Sequence, residues 1–377
     1  MRLLIAVFVV IGVYSLQLKL YRKYWNRGLS IDLSFSKDMV PCGEKVELVE
    51  VIGNDKMLAL PILNVKFATS RSFLFDEEIN ANVSDRYYRN DIFSVLGNQR
   101  IERRLKFVTT ARGIFRIKEL QVSTKDLFLK HPFANIMNNS TELIVFPKRI
   151  PMEQYVKIRN QMMGEYEVNR WDNPDPFAFR GIRPYQTFDG MGSINWKATA
   201  RFDELMVNQY CPTTKNEVRI YLNLRPYMKS QAYLLAEHAI SIISTIAADF
   251  ISLGINVSFY TNGWDVEAEV NDQKEPDISK HPTLTAGGGR AHMTALDIML
   301  SRIDIRKKAS DFMDILNKGF DKAADQITHI IVSTYRDDEL YMFYEQHYNT
   351  GSVCWIVPER EGNEVDLRFP GMYVWNA

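Results

Sequence analysis

"VRIYLNL", residues 218–224, followed by "AYLLAEHAISIISTIAADF", residues 232–250, decides the fold of the second half of this chain. The first run is short and apolar on both sides, as a strand buried on both faces reads. In the second, Leu235, Ala239, Ile242, Ile246 and Phe250 recur at helical spacing. The alternation continues: "GINVSFYT" (254–261), "ITHIIVST" (327–334) and "VCWIVP" (353–358) read as strands. "HMTALDIMLSRI" (292–303), "ASDFMDILNKGF" (309–320) and "DDELYMFYEQHY" (337–348) read as helices. Strands alternating with helices predict a parallel, doubly wound α/β domain over residues 217–377. In such a sheet, ligands bind outside the carboxyl ends of the strands. The ends of 218–224 and 327–334 are therefore the places to look for a site.

Upstream the period changes. "SIDLSFS" (30–36), "KVELVEVI" (45–52), "PILNVKFA" (61–68), "RRLKFVT" (103–109), "GIFRIKEL" (113–120), "LQVSTK" (120–125) and "LIVFP" (143–147) are short strand-like runs separated by turns. No helical period intrudes, so residues 29–148 are expected to form an all-β sandwich. Residues 76–99 read as a polar connection. Residues 149–216, rich in proline and aromatics around "RWDNPDPFAFRGIRPY", read as an irregular connector between the two domains.

The N-terminus carries "LLIAVFVVIGVYSLQL", residues 3–18. A bilayer span needs about 20 residues, with a lower limit near 17. Lys19, Arg22, Lys23 and Arg27 follow at once, and cationic flanks stay in the cytoplasm. A cleaved signal peptide is the competing reading, but the exit offers no small-residue cleavage pair. Residues 1–28 are thus expected to be an uncleaved single-pass anchor with its basic flank. Tyr14, Tyr21, Tyr24 and Trp25 are expected at membrane interfaces. The bulk of the chain is expected to face the cytoplasm. Were it outside, the sequons at Asn82, Asn138, Asn139 and Asn256 would matter in a glycosylating host.

Composition narrows the function classes. Lys plus Arg and Asp plus Glu both number 46, a balance that argues against a dedicated nucleic-acid binder. The three cysteines, Cys42, Cys211 and Cys354, are scattered without metal-ligand spacing, as reduced thiols are. A phosphate loop needs Gly-Lys opening a helix, and that dipeptide is absent. "GGGR" (287–290) lacks dinucleotide-binding spacing, and there is no G-x-S-x-G. The six histidines form no H-E-x-x-H pair. "DNPDP" (172–176) places two carboxylates close together, a pattern common in acidic turns. The chain is accordingly read as non-enzymatic, with no cofactor. The alternative is a hydrolase or transferase with dispersed catalytic residues acting on envelope material.

"FRGIRPYQTFDGMGSINWKATARFDELMVNQY", residues 179–210, resembles the signature of the bacterial family called domain of unknown function 58. Arg183, Tyr185, Asp189, Ile194, Trp196, Lys197, Ala200 and Arg201 carry the match. Pro184, Phe188 and Gly192 depart from it, standing where members place an acid, a glycine and an arginine. "ARGIFRIKELQVSTKDLFLK" (111–130) is similar to the family's Arg-Gly-x-aromatic segment with its later Asp and aromatic. "LIVFPK" is similar to the strand that ends its β region. The resemblance implies an anchor, a β domain, this signature, then a domain similar to von Willebrand factor type A. It also implies a location at the bacterial plasma membrane and a MoxR-type AAA+ ATPase as protein partner, in envelope-related assembly.

Type A domains hold a divalent ion with Asp-x-Ser-x-Ser, a threonine and an aspartate. Here the equivalent loops read Asn223, Leu224, Arg225, Pro226, Tyr227, then Thr294, then Ser333, Thr334 and Asp337. Arg225 repels a cation, so no metal is expected, and these residues are the candidate partner surface. For the signature, two readings stand. Trp196 is expected to be a buried anchor between domains, with Asp189 pairing Arg183 or Arg201. Alternatively Arg180, Arg183, Lys197 and Arg201 form a surface for an acidic partner.

Overall fold

The computed structural model describes residues 2–76, 81–156, 158–160, 174–187, 189–212, 217–225, 230–267, 282–307, 311–320, 327–348, 353–360, 369 and 371–376. Its contacts divide into two compact units, Met1–Lys148 and Arg149–Ala377.

The first unit opens with helix α1 (Arg2–Tyr24). Ile5, Phe8, Val10, Ile11 and Val13 are exposed, so this half of the helix shows apolar side chains on every face. From Tyr14 onward a single stripe turns inward at helical spacing. Gln17 and Tyr21 are buried, and so is Trp25 just past the helix end. Tyr21 and Trp25 lie in the core of the β unit and stack on Phe133 at 6.5 and 6.2 Å. The expectation that they sit at a membrane interface is corrected.

Two sheets follow. One joins β1 (Leu29–Phe35), β3 (Lys45–Asn54), β8 (Gln99–Thr109) and β5 (Phe73–Phe75) in that order. The other runs β2 (Met39–Pro41), β10 (Pro132–Phe146), β9 (Gly113–Lys125), β4 (Leu60–Thr69), β7 (Tyr87–Val95) and β6 (Ala81–Val83). Leu33, Leu48, Phe73 and Phe107 of the first sheet share one core with Leu63, Val65, Val122 and Val145 of the second. Each such buried side chain contributes about 1.5–3 kcal/mol. This is the expected β-sandwich. A bulge in β10 puts the Asn139 carboxamide between the sheets. Its Nδ2 donates to Leu33 O and Ile117 O, both at 3.1 Å, and its Oδ1 accepts from Leu33 N at 3.1 Å.

The stretch read as a polar connection, 76–99, holds two strands among its described residues, β6 and β7. The inward positions of β7 are Tyr87, Arg89, Asp91, Phe93 and Val95. Arg89 Nε donates to Asp91 Oδ2 at 2.7 Å and Arg103 Nη1 to Asp91 Oδ1 at 2.8 Å, so a buried ion cluster replaces part of the apolar pattern.

In the second unit, β16 (Thr283–Gly287), β14 (Asn256–Thr261), β13 (Glu217–Asn223), β18 (Ile327–Ser333), β19 (Val353–Glu359) and β20 (Met372–Asn376) form one sheet in that order. All neighbours are parallel except β16 on β14. Alternate residues face two cores. Ile220, Leu222, Ile330 and Ile356 pack against helices α3 (Ser230–Ser252) and α4 (Gly289–Arg302). Tyr221, Ile331 and Trp355 pack against α5 (Phe312–Phe320) and α6 (Asp338–His347). Helices therefore cover both sheet faces, as the alternating pattern predicts. Residues 232–252 of α3 are long and apolar enough to cross a membrane, yet Ala239, Ile243, Ile246 and Phe250 are packed in this core.

The described residues of 149–216 hold regular elements rather than an irregular connector. Residues 152–156 and 158–160 are helical. Tyr155 is buried and its Oη donates to Asp249 Oδ2 at 3.2 Å, which Arg159 Nε also reaches at 2.7 Å. Further on, β11 (Pro174–Pro184) pairs antiparallel with β12 (Met206–Pro212), enclosing helix α2 (Trp196–Phe202).

Candidate functional site

The sheet order reverses about β13, because the chain leaves it toward β14 on one side and reaches β18 on the other. Side chains splay apart at such a point and leave a crevice at the carboxyl ends. A pocket of about 220 Å³ lies there, lined by Asn223, Leu224, Arg225, Asn262, Asp311, Tyr335, Asp337 and Glu339 among others.

Its floor is a chain of buried polar groups. Asn262 Nδ2 donates to Leu224 O at 2.8 Å and Asn223 Oδ1 at 3.2 Å, while Asn262 Oδ1 accepts from Leu224 N at 2.7 Å. Asn223 Nδ2 donates to Ser333 Oγ at 3.1 Å. That hydroxyl donates to Tyr335 O at 2.5 Å and accepts from Tyr335 N at 3.1 Å. The network ties together the ends of β13, β14 and β18. Buried amides and hydroxyls with partners rigidify the backbone that carries them. The Ser333 hydroxyl is thus engaged by backbone and carboxamide rather than by a base.

Above the floor, the Arg225 guanidinium lies 3.7 Å from the centroid of the Tyr335 ring, a cation–π stack that fixes the arginine at the rim. Asp337 caps α6 by accepting from Leu340 N at 2.8 Å. Asp311 and Glu339 are exposed. The rim therefore carries, among the described residues, three carboxylates, Asp311, Asp337 and Glu339, against the Arg225 guanidinium. Among the described residues, no group of three His, Cys, Asp or Glu is placed to hold a metal ion.

The loops named from sequence are brought together in part. Asn223, Arg225 and Asp337 line the pocket, with Ser333 in its floor and half-buried Thr334 beside it. Thr294 is not there: it lies on α4, its hydroxyl donating to Arg290 O of its own helix at 3.1 Å. Tyr227 lies outside the described residues. Asn262 and Asp311 were not anticipated. Asn262 could have been found from its place just past the end of "GINVSFYT", the strand neighbouring 218–224.

The signature segment builds a separate small motif. Arg183 holds Asp189 through two bonds, Nη1 to Oδ2 at 2.6 Å and Nη2 to Oδ1 at 2.5 Å. The Arg183 side-chain bond is the leading influence that holds the Asp189 carboxyl below its ordinary range, with the Gln186 N–H adding to it. Of the two expected partners for Asp189, Arg183 is the one used. Ile194 is buried and bridges Val207, and Asn195 caps α2 by accepting from Ala198 N at 2.9 Å. Tyr185 N donates to Leu205 O at 2.8 Å. Trp196 is 66% exposed, which corrects its expected role as a buried anchor. Lys197, Ala200 and Arg201 are exposed beside it. The buried contact of this helix is Ala198 instead.

Two histidines illustrate how the rest are used. His329, on β18, is buried against Phe320 at 3.9 Å and shares a 3.1 Å hydrogen bond with the Tyr221 hydroxyl. Burial pushes its pKa down to about 3, Arg219 adding to the effect, so it is a neutral packing residue. His292 Nε2 lies 2.7 Å from Val257 O.

No family model and no curated protein matches the sequence. Among solved structures, the chain is similar to a non-cellulosomal cohesin from the archaeon Archaeoglobus fulgidus, at 12% identity and TM-score 0.22, over 34% of this chain and 97% of that one. It is similar to the CARDB domain of the PF1109 protein from Pyrococcus furiosus, at 11% identity and TM-score 0.21, over 32% and 90%. The sixth cohesin of scaffoldin B from Acetivibrio cellulolyticus, solved with a Cel5 dockerin, aligns at 14% identity and TM-score 0.21, over 30% and 99%. Likenesses this low carry nothing about function.

Proposed function

We propose that this chain is a non-enzymatic adaptor, anchored in the bacterial plasma membrane by α1 and facing the cytoplasm. Its α/β unit, read as a von Willebrand factor type A-like domain of the domain of unknown function 58 family, docks a protein partner. The partner proposed is a MoxR-type AAA+ ATPase, in envelope-related assembly. The observation that carries the docking site is the pocket at the switch point, with its rigid polar floor and exposed charged rim. Three rim carboxylates against Arg225 favour a basic side chain from the partner, inserted where a type A domain would present its metal. The anchor is supported by the exposed apolar side chains between Ile5 and Val13, which no described residue buries, and the orientation by Lys19, Arg22, Lys23 and Arg27 at its end.

The test is a crosslinked pull-down from native membranes with the anchored chain as bait. Nucleotide-dependent recovery of an AAA+ ATPase is expected. Asp311→Lys and Glu339→Lys together should lower that recovery about tenfold, as reversal of rim charges does, without moving the unfolding midpoint. Equal recovery by the variant removes the pocket as the docking site.

A further inference from the structure

The tip of the β9–β10 hairpin stands apart from the rest of the sandwich surface. Leu127, Phe128 and Leu129 are successive and 50%, 54% and 45% exposed. Three consecutive apolar side chains at a hairpin tip cost solvation unless something covers them. The tip is also rigid. The Asp126 carboxylate is buried and its Oδ1 accepts from Lys130 N at 2.7 Å and His131 N at 3.2 Å. Asp126 N donates to His131 O at 3.1 Å, and Leu129 N to Asp126 O at 2.9 Å. Leu129 takes φ 58°, a left-handed conformation that a leucine adopts at a cost. The N–H groups of Asp126, Leu129, Lys130 and His131 thus find partners inside the turn, which holds the backbone that presents the three apolar side chains.

What the tip touches identifies its surroundings. Gln17 Nε2 of α1 donates to Asp126 Oδ2 at 3.1 Å. The Tyr14 hydroxyl lies 3.2 Å from His131 Nδ1, the Tyr14 ring is 5.6 Å from Phe128, and Lys130 Nζ sits 5.9 Å from the Tyr14 ring centroid. Tyr14 and Gln17 lie within the apolar stretch 3–18, and Tyr14 is about 6 Å along the helix axis from its end at Leu18. A tip docked at the level of Tyr14 is level with the apolar part of the helix.

We propose that the 126–131 hairpin tip is a second membrane-inserting element, with Leu127, Phe128 and Leu129 entering the edge of the bilayer that α1 crosses. This rests on the reading of α1 as a membrane anchor. The occupant of the surface is lipid. Phe128 and the two leucines reach the acyl boundary, Lys130 extends its amine back to headgroup phosphates, and Tyr14 occupies the interface between them. The pairing of Gln17 with Asp126 gives the one carboxamide of the apolar stretch a partner at that depth. It also fixes the angle between anchor and sandwich, because the tip holds α1 by its side while lipid holds both.

Photocrosslinking of the full chain in phosphatidylethanolamine–phosphatidylglycerol membranes tests this without relying on the native cysteines. p-Benzoylphenylalanine is placed at Phe128, at Ile11 in the anchor, and at Met57, which is 89% exposed. Lipid adducts are read by mass. The expected result is adduct at Phe128 comparable to Ile11 and about tenfold above Met57, the contrast between acyl and aqueous surroundings. Adduct at Ile11 with Phe128 at the Met57 level overturns the tip insertion and leaves the anchor standing. Absence of adduct at Ile11 as well overturns the anchor reading and the tip with it. The exposed position and the aromatic replacement keep the Phe128 variant folded, which an unchanged unfolding midpoint checks.

Discussion

Glu50 sits on β3 opposite Arg103, 1% exposed, in the same interior cluster as Arg89 and Asp91. Burial, and next the Asp91 charge, push its pKa up from 4.5 to about 8, against the opposing pull of Arg103 and Arg89. The folded chain therefore keeps a proton that the unfolded chain releases above about 4.5. Unfolding in this window releases a proton, so stability falls as pH rises. The contribution is full below about 4.5 and lost as pH passes about 8. Glu50→Gln mimics the protonated form and should flatten the decline of the unfolding midpoint across that interval. Coincident wild-type and variant profiles contradict a neutral Glu50. Trp196 makes the opposite kind of case. A buried tryptophan costs about 3–5 kcal/mol on truncation, but Trp196 is 66% exposed. Trp196→Ala should shift stability by no more than about 0.5 kcal/mol, as surface substitutions do. A larger loss in denaturant unfolding restores the anchor role.

At the scale of elements, the α/β unit depends on a close approach between α5 and β13. A Cβ on Gly319 would lie 2.5 Å from the Tyr221 hydroxyl and 2.9 Å from its ring. Alanine gains about 1 kcal/mol in helix propensity over glycine, but overpacking a rigid buried ring costs about 1–3 kcal/mol. Gly319→Ala should therefore be net destabilising and should break the Tyr221–His329 hydrogen bond, read by chemical denaturation and by the His329 ring resonances. The strand ends respond to a different loss. Asn262→Ala removes three hydrogen bonds at the floor of the pocket and should cost about 1–3 kcal/mol. Reduced partner capture at temperatures where the variant is fully folded is the second expected effect. These elements also explain what the sequence displays and what it hides. Strands buried on both faces read plainly because apolar residues dominate both of their faces, with few polar interruptions such as His329. β7 was hidden because Arg89 and Asp91 occupy inward positions, and charges there look like loop. The switch-point pocket was legible because it follows from strand order, whereas Asp311 arrives from a segment with no motif. The Arg183–Asp189 pair was legible as chemistry, but the exposure of Trp196 was not, since helix α2 buries only Ala198 and no periodicity marks so short a face.

For the whole molecule, α1 is two devices in one helix. Its first half is apolar on all faces, while its second half contributes Gln17, Tyr21 and, beyond its end, Trp25 to the sandwich. Membrane attachment and sandwich stability should therefore separate at about Tyr14. Removing residues 2–13 takes away the exposed apolar half, proposed as the anchor, and leaves the stripe. That variant should fractionate away from membranes while keeping the sandwich unfolding transition close to that of the full chain. Extending the deletion to residue 25 removes Tyr21, whose rings and hydroxyl contact Phe133 and Ala59 O, together with Trp25. Each buried aromatic lost costs about 3–5 kcal/mol, and two such losses are comparable to the whole stability of a domain. The longer deletion should thus yield an unfolded or aggregating sandwich, measured by limited proteolysis of residues 29–148. The comparison decides between a severable tether and an anchor built into the fold. Equal protease resistance of the two truncations means that the helix only tethers, and the contacts of Tyr21 and Trp25 contribute little.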